Sequence, residues 1–189
     1  MIKNIPKQGK FISFEGGEGT GKSTQARLLV ESLTQRGIES ICTREPGGTE
    51  VAEIIRDILV GELGQACDPR TEALLHFAAR RSHLVEKIWP TLEKGIWVIS
   101  DRFNDSSLAY QGIVMGAGRG VINDLNKVAV EGFCPNLTLI MDLPPQLGLK
   151  RTEGRFDGQN RYEEFDVAFH RRIRDAFLEI ANTEQERCV

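Results

Sequence analysis

Short apolar runs alternate with stretches of helical periodicity along this chain. Phe11-Ile12-Ser13-Phe14 predicts a buried strand. Over residues 22–35, Ala26, Leu29, Val30 and Leu33 share one stripe, which predicts a helix that Gly37 stops. A second strand is expected over 38–43. A helix is expected over 49–60, where Ile54, Ile55, Ile58 and Leu59 keep near-helical spacing. Asp68 can cap a further helix with Pro69 at its first position. That helix reaches to about residue 94, with a kink or break expected at Pro90. A third strand is expected over 96–100, a helix over 121–130, and a fourth, buried strand over 137–143. A long charged helix is expected within 161–183. Strands that alternate with helices of this length imply right-handed crossovers and a parallel sheet covered on both faces, the three-layer α/β class.

No repeat, low-complexity stretch or linker divides the 189 residues, so one domain is expected. Composition narrows the function classes. Lys and Arg total 24 against 27 for Asp and Glu, a net charge of −3, which argues against a broad basic surface for nucleic acid. The four cysteines, Cys42, Cys67, Cys134 and Cys188, form no C-x-x-C pair and have three histidines to join them, so a zinc cluster is not expected. Scattered single cysteines fit a reducing compartment. Residues 1–7 lack the apolar core of a signal peptide, and no apolar run reaches the roughly 18 residues a membrane helix needs. A cytoplasmic protein without a membrane partner is expected.

The strongest local signal is Gly16-Gly17-Glu18-Gly19-Thr20-Gly21-Lys22-Ser23, followed by Thr24. It satisfies G-x-x-x-x-G-K-[ST] between a predicted strand and a predicted helix, the context that this phosphate loop requires. Glycines let backbone N–H groups converge on phosphate oxygens, and the helix N-terminus adds partial positive charge. Lys22 is then the group that reaches the β- and γ-phosphates, and the Ser23 hydroxyl can ligate Mg²⁺. A guanine-reading N-K-x-D is missing: Asn126-Lys127-Val128-Ala129 lacks the aspartate and precedes its strand. That weakens a GTPase-switch reading.

Three further strings follow predicted strands: Thr43-Arg44-Glu45-Pro46-Gly47-Gly48-Thr49, Asp101-Arg102-Phe103, and Ser106-Ser107-Leu108-Ala109-Tyr110-Gln111-Gly112. Ligands of parallel sheets bind at the carboxyl ends of strands. With these strings the sequence, from Phe11 to about Ala181, resembles the thymidylate kinases. The resemblance implies a P-loop NTPase fold of the nucleoside monophosphate kinase type. It also implies transfer of the ATP γ-phosphoryl group to dTMP with Mg²⁺, and a homodimer.

Residue roles follow from the same resemblance. Glu18 contacts the acceptor sugar 3′-hydroxyl, Arg102 clamps the acceptor phosphate, and Asp101 orients Mg²⁺ through water. Arg44 and Arg56 extend the phosphate and acceptor site. Pro46 can carry a cis peptide that shapes its loop, trans being the default. Ser107 and Gln111 match positions that hydrogen-bond the base, Tyr110 packs where a ribose 2′-hydroxyl would lie, and Ser106 joins them or caps a helix. The family pairs an aromatic residue with an arginine four positions on. Phe77 with Arg81 keeps the aromatic spacing, whereas distances to Pro90 and Asp101 favour Arg80, with His76 as the stacking ring.

Position 19, an arginine in some members, is glycine here. The resemblance is therefore to the bacterial-type arrangement, in which Arg151, Arg155 and Arg161 of an irregular 151–161 stretch are lid arginines. Two other readings stay open: another nucleoside monophosphate or small-metabolite kinase, and a nucleotide-binding subunit without turnover. Related chains continue into a fifth strand and final helix, so a trimmed sequence is expected.

Overall fold

The computed structural model describes residues 9–153 and 161–189. Four parallel strands form one sheet in the order β2-β3-β1-β4: β1 (Phe11–Glu15), β2 (Ser40–Arg44), β3 (Trp97–Asp101) and β4 (Leu137–Ile140). All five residues of β1 are buried, as a central strand covered on both faces requires. The pleat then sorts the side chains. Phe11 and Val98 point into one core with Phe77, Leu84, Ile88 and Ile122. Ile12, Phe14 and Ile99 point into the other with Ala26 and Leu33 of α1 (Lys22–Gln35). The first core is backed by α4 (Pro69–His83), α5 (Trp89–Glu93) and α7 (Arg119–Val130). The expected three-layer α/β sandwich is what the chain forms.

Local chemistry explains most boundaries. Asp68 caps α4, accepting from the N–H groups of Arg70 (2.9 Å) and Thr71 (3.3 Å), and Pro69 opens the helix. Pro90 does not end the helical run. A π-turn over Leu84–Ile88 precedes it, and Pro90 falls in the first turn of α5, where its missing N–H is tolerated. The second strand is shifted from 38–43 to Ser40–Arg44, and the fourth stops at Ile140. The long helix α9 (Val167–Thr183) begins later than residue 161 because Asp166 caps it, accepting from Phe169 N–H at 2.7 Å. Helices α2 (Glu50–Val60), α3 (Glu62–Gln65), α6 (Asn104–Ser107) and α8 (Pro145–Thr152) complete the order, with a second π-turn over Leu108–Val114.

Register places the functional ends of the strands level. Asp101 pairs with Phe14 on one side and with Arg44 on the other. Beyond β4, Cys188 forms a parallel bridge to Thr138, with Thr138 N–H donating to Arg187 O at 2.7 Å and Ile140 N–H to Val189 O at 2.8 Å. This segment is fastened by Arg187, which grips the Asp105 carboxylate through two nitrogens at 2.7 and 2.9 Å. Asp105 is 4% exposed. Arg187→Met therefore leaves a buried carboxylate without its partner. Because Arg187 itself is 20% exposed, the loss is expected at the lower end of about 3–5 kcal/mol. Urea denaturation reads it directly, and an unchanged midpoint refutes the clamp.

Candidate active site

The phosphate loop leaves β1 and enters α1. Gly21 caps the helix in the left-handed region at φ 94°. Gly19, at φ 67°, is required twice over: a Cβ there would lie 2.0 Å from the carbonyl oxygen of Gly148 on α8. A Cβ on Gly148 would in turn lie 2.3 Å from the Glu18 carbonyl oxygen. This backbone-to-backbone approach explains why an arginine cannot replace Gly19 without moving α8. Lys22 folds over the loop, donating to Gly17 O at 2.6 Å. Burial lowers its ammonium pKa to about 8, and the Arg102 guanidinium adds to the effect. The Ser23 hydroxyl donates to an oxygen of Asp101. These two hard oxygen ligands, side by side at the loop mouth, suit a divalent cation that keeps waters and phosphate oxygens as its other ligands.

Arg102 follows β3 with a left-handed backbone, φ 72°. Its guanidinium donates to Glu18 at 2.7 Å, and to Gly16 O and Ser106 Oγ at 3.0 Å each. Tyr110 OH donates to the same Glu18 oxygen at 2.9 Å. Burial opposes charge on Glu18, yet Arg102 and Lys22 hold its pKa at about 2. Behind this group stands Glu15, the last residue of β1, which sequence reasoning missed. One of its oxygens accepts from Phe103 N–H at 2.7 Å and the other from Ser106 Oγ at 2.5 Å. Its sequence signal was a carboxylate ending an otherwise apolar strand. Burial, with the Asp105 charge second, raises its pKa to about 7.

Two cavities meet at this cluster. One, about 1210 Å³, follows the phosphate loop past Gly21, Lys22, Ser23 and Thr24 to Arg44 and Asp101. The other, about 700 Å³, is lined by Pro46, His76, Arg80, Ser106, Ser107 and Tyr110, with Gln111 and Tyr162 beside them. Glu18, Arg56 and Arg102 line both. The Glu45–Pro46 peptide is cis, not the trans default, and Arg56 donates to Pro46 O at 2.9 Å. Arg44 pairs with Glu53 at 2.9 Å. Arg80 is buried, bound to Glu45 at 2.7 Å and to Ser107 Oγ at 3.0 Å.

The two possible helix registers are separated by placement. Arg80 and His76 face the cavity, whereas Arg81 is outside it, paired with Glu131 at 2.7 Å. Phe77 corrects the expectation of a base contact: it is 2% exposed in the sheet core, packed with Phe11 and Phe103. Burial, then Arg80, lowers the His76 pKa to about 3, so the ring is neutral. Arg151 reaches Gly19 O at 3.5 Å from the end of α8. Arg155 lies outside the described residues. Arg161, expected as a lid arginine on the phosphates, is buried on the acceptor side, donating to Glu72 and to Leu59 O at 3.0 Å. Glu72 and Tyr162 were also missed. Glu72 was readable, since Glu72, His76 and Arg80 recur every four residues on one helix face. Tyr162 carried no such signal.

A phosphate loop at the carboxyl end of a parallel sheet, joined to an acceptor-sized cavity by an arginine and a glutamate, defines a P-loop kinase of the nucleoside monophosphate kinase type. Comparison with known proteins refines the class. The thymidylate kinase family model matches residues 14–189. A thymidylate kinase of Caulobacter vibrioides is 50% identical, with 96% of this chain and 87% of that protein covered. One of Nitrobacter winogradskyi is 45% identical, with 100% and 85% covered. The crystal structure of thymidylate kinase from Ehrlichia chaffeensis superposes with a TM-score of 0.79 at 36% identity, covering 96% of this chain and 91% of that one. The chain belongs to the thymidylate kinase family.

Glu15 gives a pH prediction. A carboxyl whose folded pKa is raised from 4.5 to about 7 stabilises the fold below its ordinary value, and that contribution is lost as pH rises through about 7. The stability of Glu15→Gln relative to the parent should therefore improve between pH 5 and pH 8. Paired urea titrations at the two pH values check this, and a pH-independent difference refutes it.

Proposed function

We propose that this protein transfers the γ-phosphoryl group of ATP to dTMP, giving dTDP and ADP, as a step of dTTP synthesis. The observation that carries the reading is the meeting of the two cavities at Glu18 and Arg102. A donor triphosphate on the loop and an acceptor phosphate on Arg102 are thereby brought together. The loop backbone from Gly16 to Thr24 cradles the donor phosphates, with Lys22 leaving Gly17 O for a phosphate oxygen. Arg102 grips the acceptor phosphate, Arg44 and Arg56 widen that positive site, and Glu18 receives the sugar 3′-hydroxyl. Tyr110 fills the space of a 2′-hydroxyl, and Ser106 holds Arg102 in place. His76 lies against the base, and Arg80, Ser107 and Gln111 read its edge.

No side chain has to act as a general base, because the acceptor is already a phosphate anion. Orientation and charge neutralisation suffice. Arg151, already beside the phosphate loop, and Arg155 remain the lid arginines of this reading. Mg²⁺ is the divalent cation of the reading. It would be held by Ser23 and, through water, by Asp101, and supplies charge neutralisation between the donor phosphates. Cytoplasmic location fits four unpaired cysteines. Among the described residues no helix is long and apolar enough to cross a membrane. The homodimer of the reading has an apolar surface available on neighbouring helices: Val51 and Ile54 of α2, Leu74 of α4 and Val128 of α7 are exposed.

A coupled ADP-release assay across dTMP, dUMP, dCMP, AMP and GMP tests the reading. Turnover is expected with dTMP and not with the purine nucleotides. Arg102→Ala should lower kcat/KM for dTMP by on the order of 10² or more. Absence of ADP release with dTMP overturns the proposal.

A further inference from the structure

Glu72 is fully buried in α4, and three donors converge on its carboxylate. Gln111 Nε2 lies 2.7 Å and Tyr162 OH 2.5 Å from one oxygen, and Arg161 donates to the other. Nothing in phosphoryl transfer calls for this cluster. Its geometry instead bears on the amide of Gln111. An ionised carboxylate only accepts hydrogen bonds, so the amide must turn Nε2 toward it and Oε1 the other way. Gln111 lines the acceptor cavity, as does Arg80, whose Nη1 is buried with no partner among the described residues. Through Gln111 the cavity thus offers a fixed acceptor. It matches a ring edge that carries N–H and opposes one that carries a bare ring nitrogen.

We infer that Glu72 is a positioning residue for base selection, holding the Gln111 amide so that its oxygen faces the acceptor base. The inference rests on the dTMP reading and adds the residue that decides which base edge is read. Glu72 touches no substrate and acts through Gln111. Tyr162 OH donates to the same Glu72 oxygen and accepts from Gln111 Nε2 at 3.3 Å, so it too keeps the NH₂ on that side.

The test compares the full chain with Glu72→Gln and with Glu72→Gln/Arg161→Gln, using dTMP and dCMP as acceptors. A glutamine at 72 can present either its oxygen or its NH₂, so Gln111 is free to turn over. The double variant removes the buried charge that the single one leaves unpaired, so a folding defect in the single variant does not end the test. The ratio of kcat/KM for dTMP over dCMP is expected to fall by roughly tenfold or more, through KM, with kcat for dTMP changed only a few-fold. A purely structural role would lower kcat and thermal stability while leaving the ratio alone. A folded variant that keeps the parental ratio overturns the inference.

A second measurement needs no turnover. In protein labelled with ¹⁵N at glutamine side chains, the Gln111 NH₂ pair, identified by its loss in Gln111→Met, should be protected from solvent exchange. It should lose that protection in the double variant. Retained protection overturns the role of Glu72 even if the parent fails to turn over dTMP, a failure that would belong to the functional reading alone.

Discussion

The ion pair between Glu18 of the phosphate loop and Arg102 after β3 constrains everything around it. Both side chains are mostly withdrawn from water, at 18% and 17% exposure, with 2.7 Å between them. A pair in such a place contributes little net stability, because desolvation offsets much of the attraction. Removing either partner would strand the other's charge. The surrounding structure is therefore organised to hold the pair. Arg102 adopts a left-handed backbone that costs about 1–2 kcal/mol in an L-residue. Glu15 fixes the next peptide through Phe103 N–H, and through Ser106 it orients the guanidinium from behind. The strained turn and the buried carboxylate are two halves of one device, and neither makes physical sense alone.

The charges of the site are arranged for anions. Lys22, Arg44, Arg56 and Arg102 line one continuous cavity with Asp101 and Glu18. The ammonium of Lys22 is destabilised by burial and by Arg102, a repulsion that phosphate oxygens placed between them would relieve. Binding energy is then released at the point where charge is redistributed during transfer, which is where catalysis gains from it. Glu18 keeps this cationic field from being uniform. It pairs with Arg102 where the two cavities meet and leaves a carboxylate oxygen to which a hydroxyl can donate.

Much of this was legible in the chain. The order of strands and helices followed from periodicity, and the loop from Gly16 to Ser23 announced itself by spacing and context. What failed to read was of two kinds. Boundaries moved where a cap overrode periodicity: Asp166 starts α9 six residues after Arg161, and a π-turn carries the helix through Pro90. Buried carboxylates were harder. Glu45 looks like an ordinary charge in the sequence, Glu15 and Glu72 show only a suggestive position, and what singles all three out is a partner 35 to 91 residues away. Phe77 failed in the opposite sense. Its spacing suited a ring over the base, but the helix face it occupies turns into the sheet core.

Those misses share a physical cause. The phosphate loop is a local object, since one strand, one turn and one helix supply all its donors. The acceptor cavity is not local. It draws Pro46 from the loop after β2, His76 and Arg80 from α4, Gln111 from the π-turn after α6, and Tyr162 from the segment before α9. A parallel sheet permits this because every crossover returns the chain to the same edge, so residues far apart in sequence emerge side by side. Recognition of the donor can therefore be carried by one short motif. Recognition of the acceptor depends on how four distant segments are held against each other. The polar contacts that hold them, Glu45 on Arg80 and Glu72 on Gln111, Arg161 and Tyr162, bind no phosphate and follow no motif. On the proposed reading, acceptor specificity rests on the buried charges between segments as well as on the residues that line the cavity.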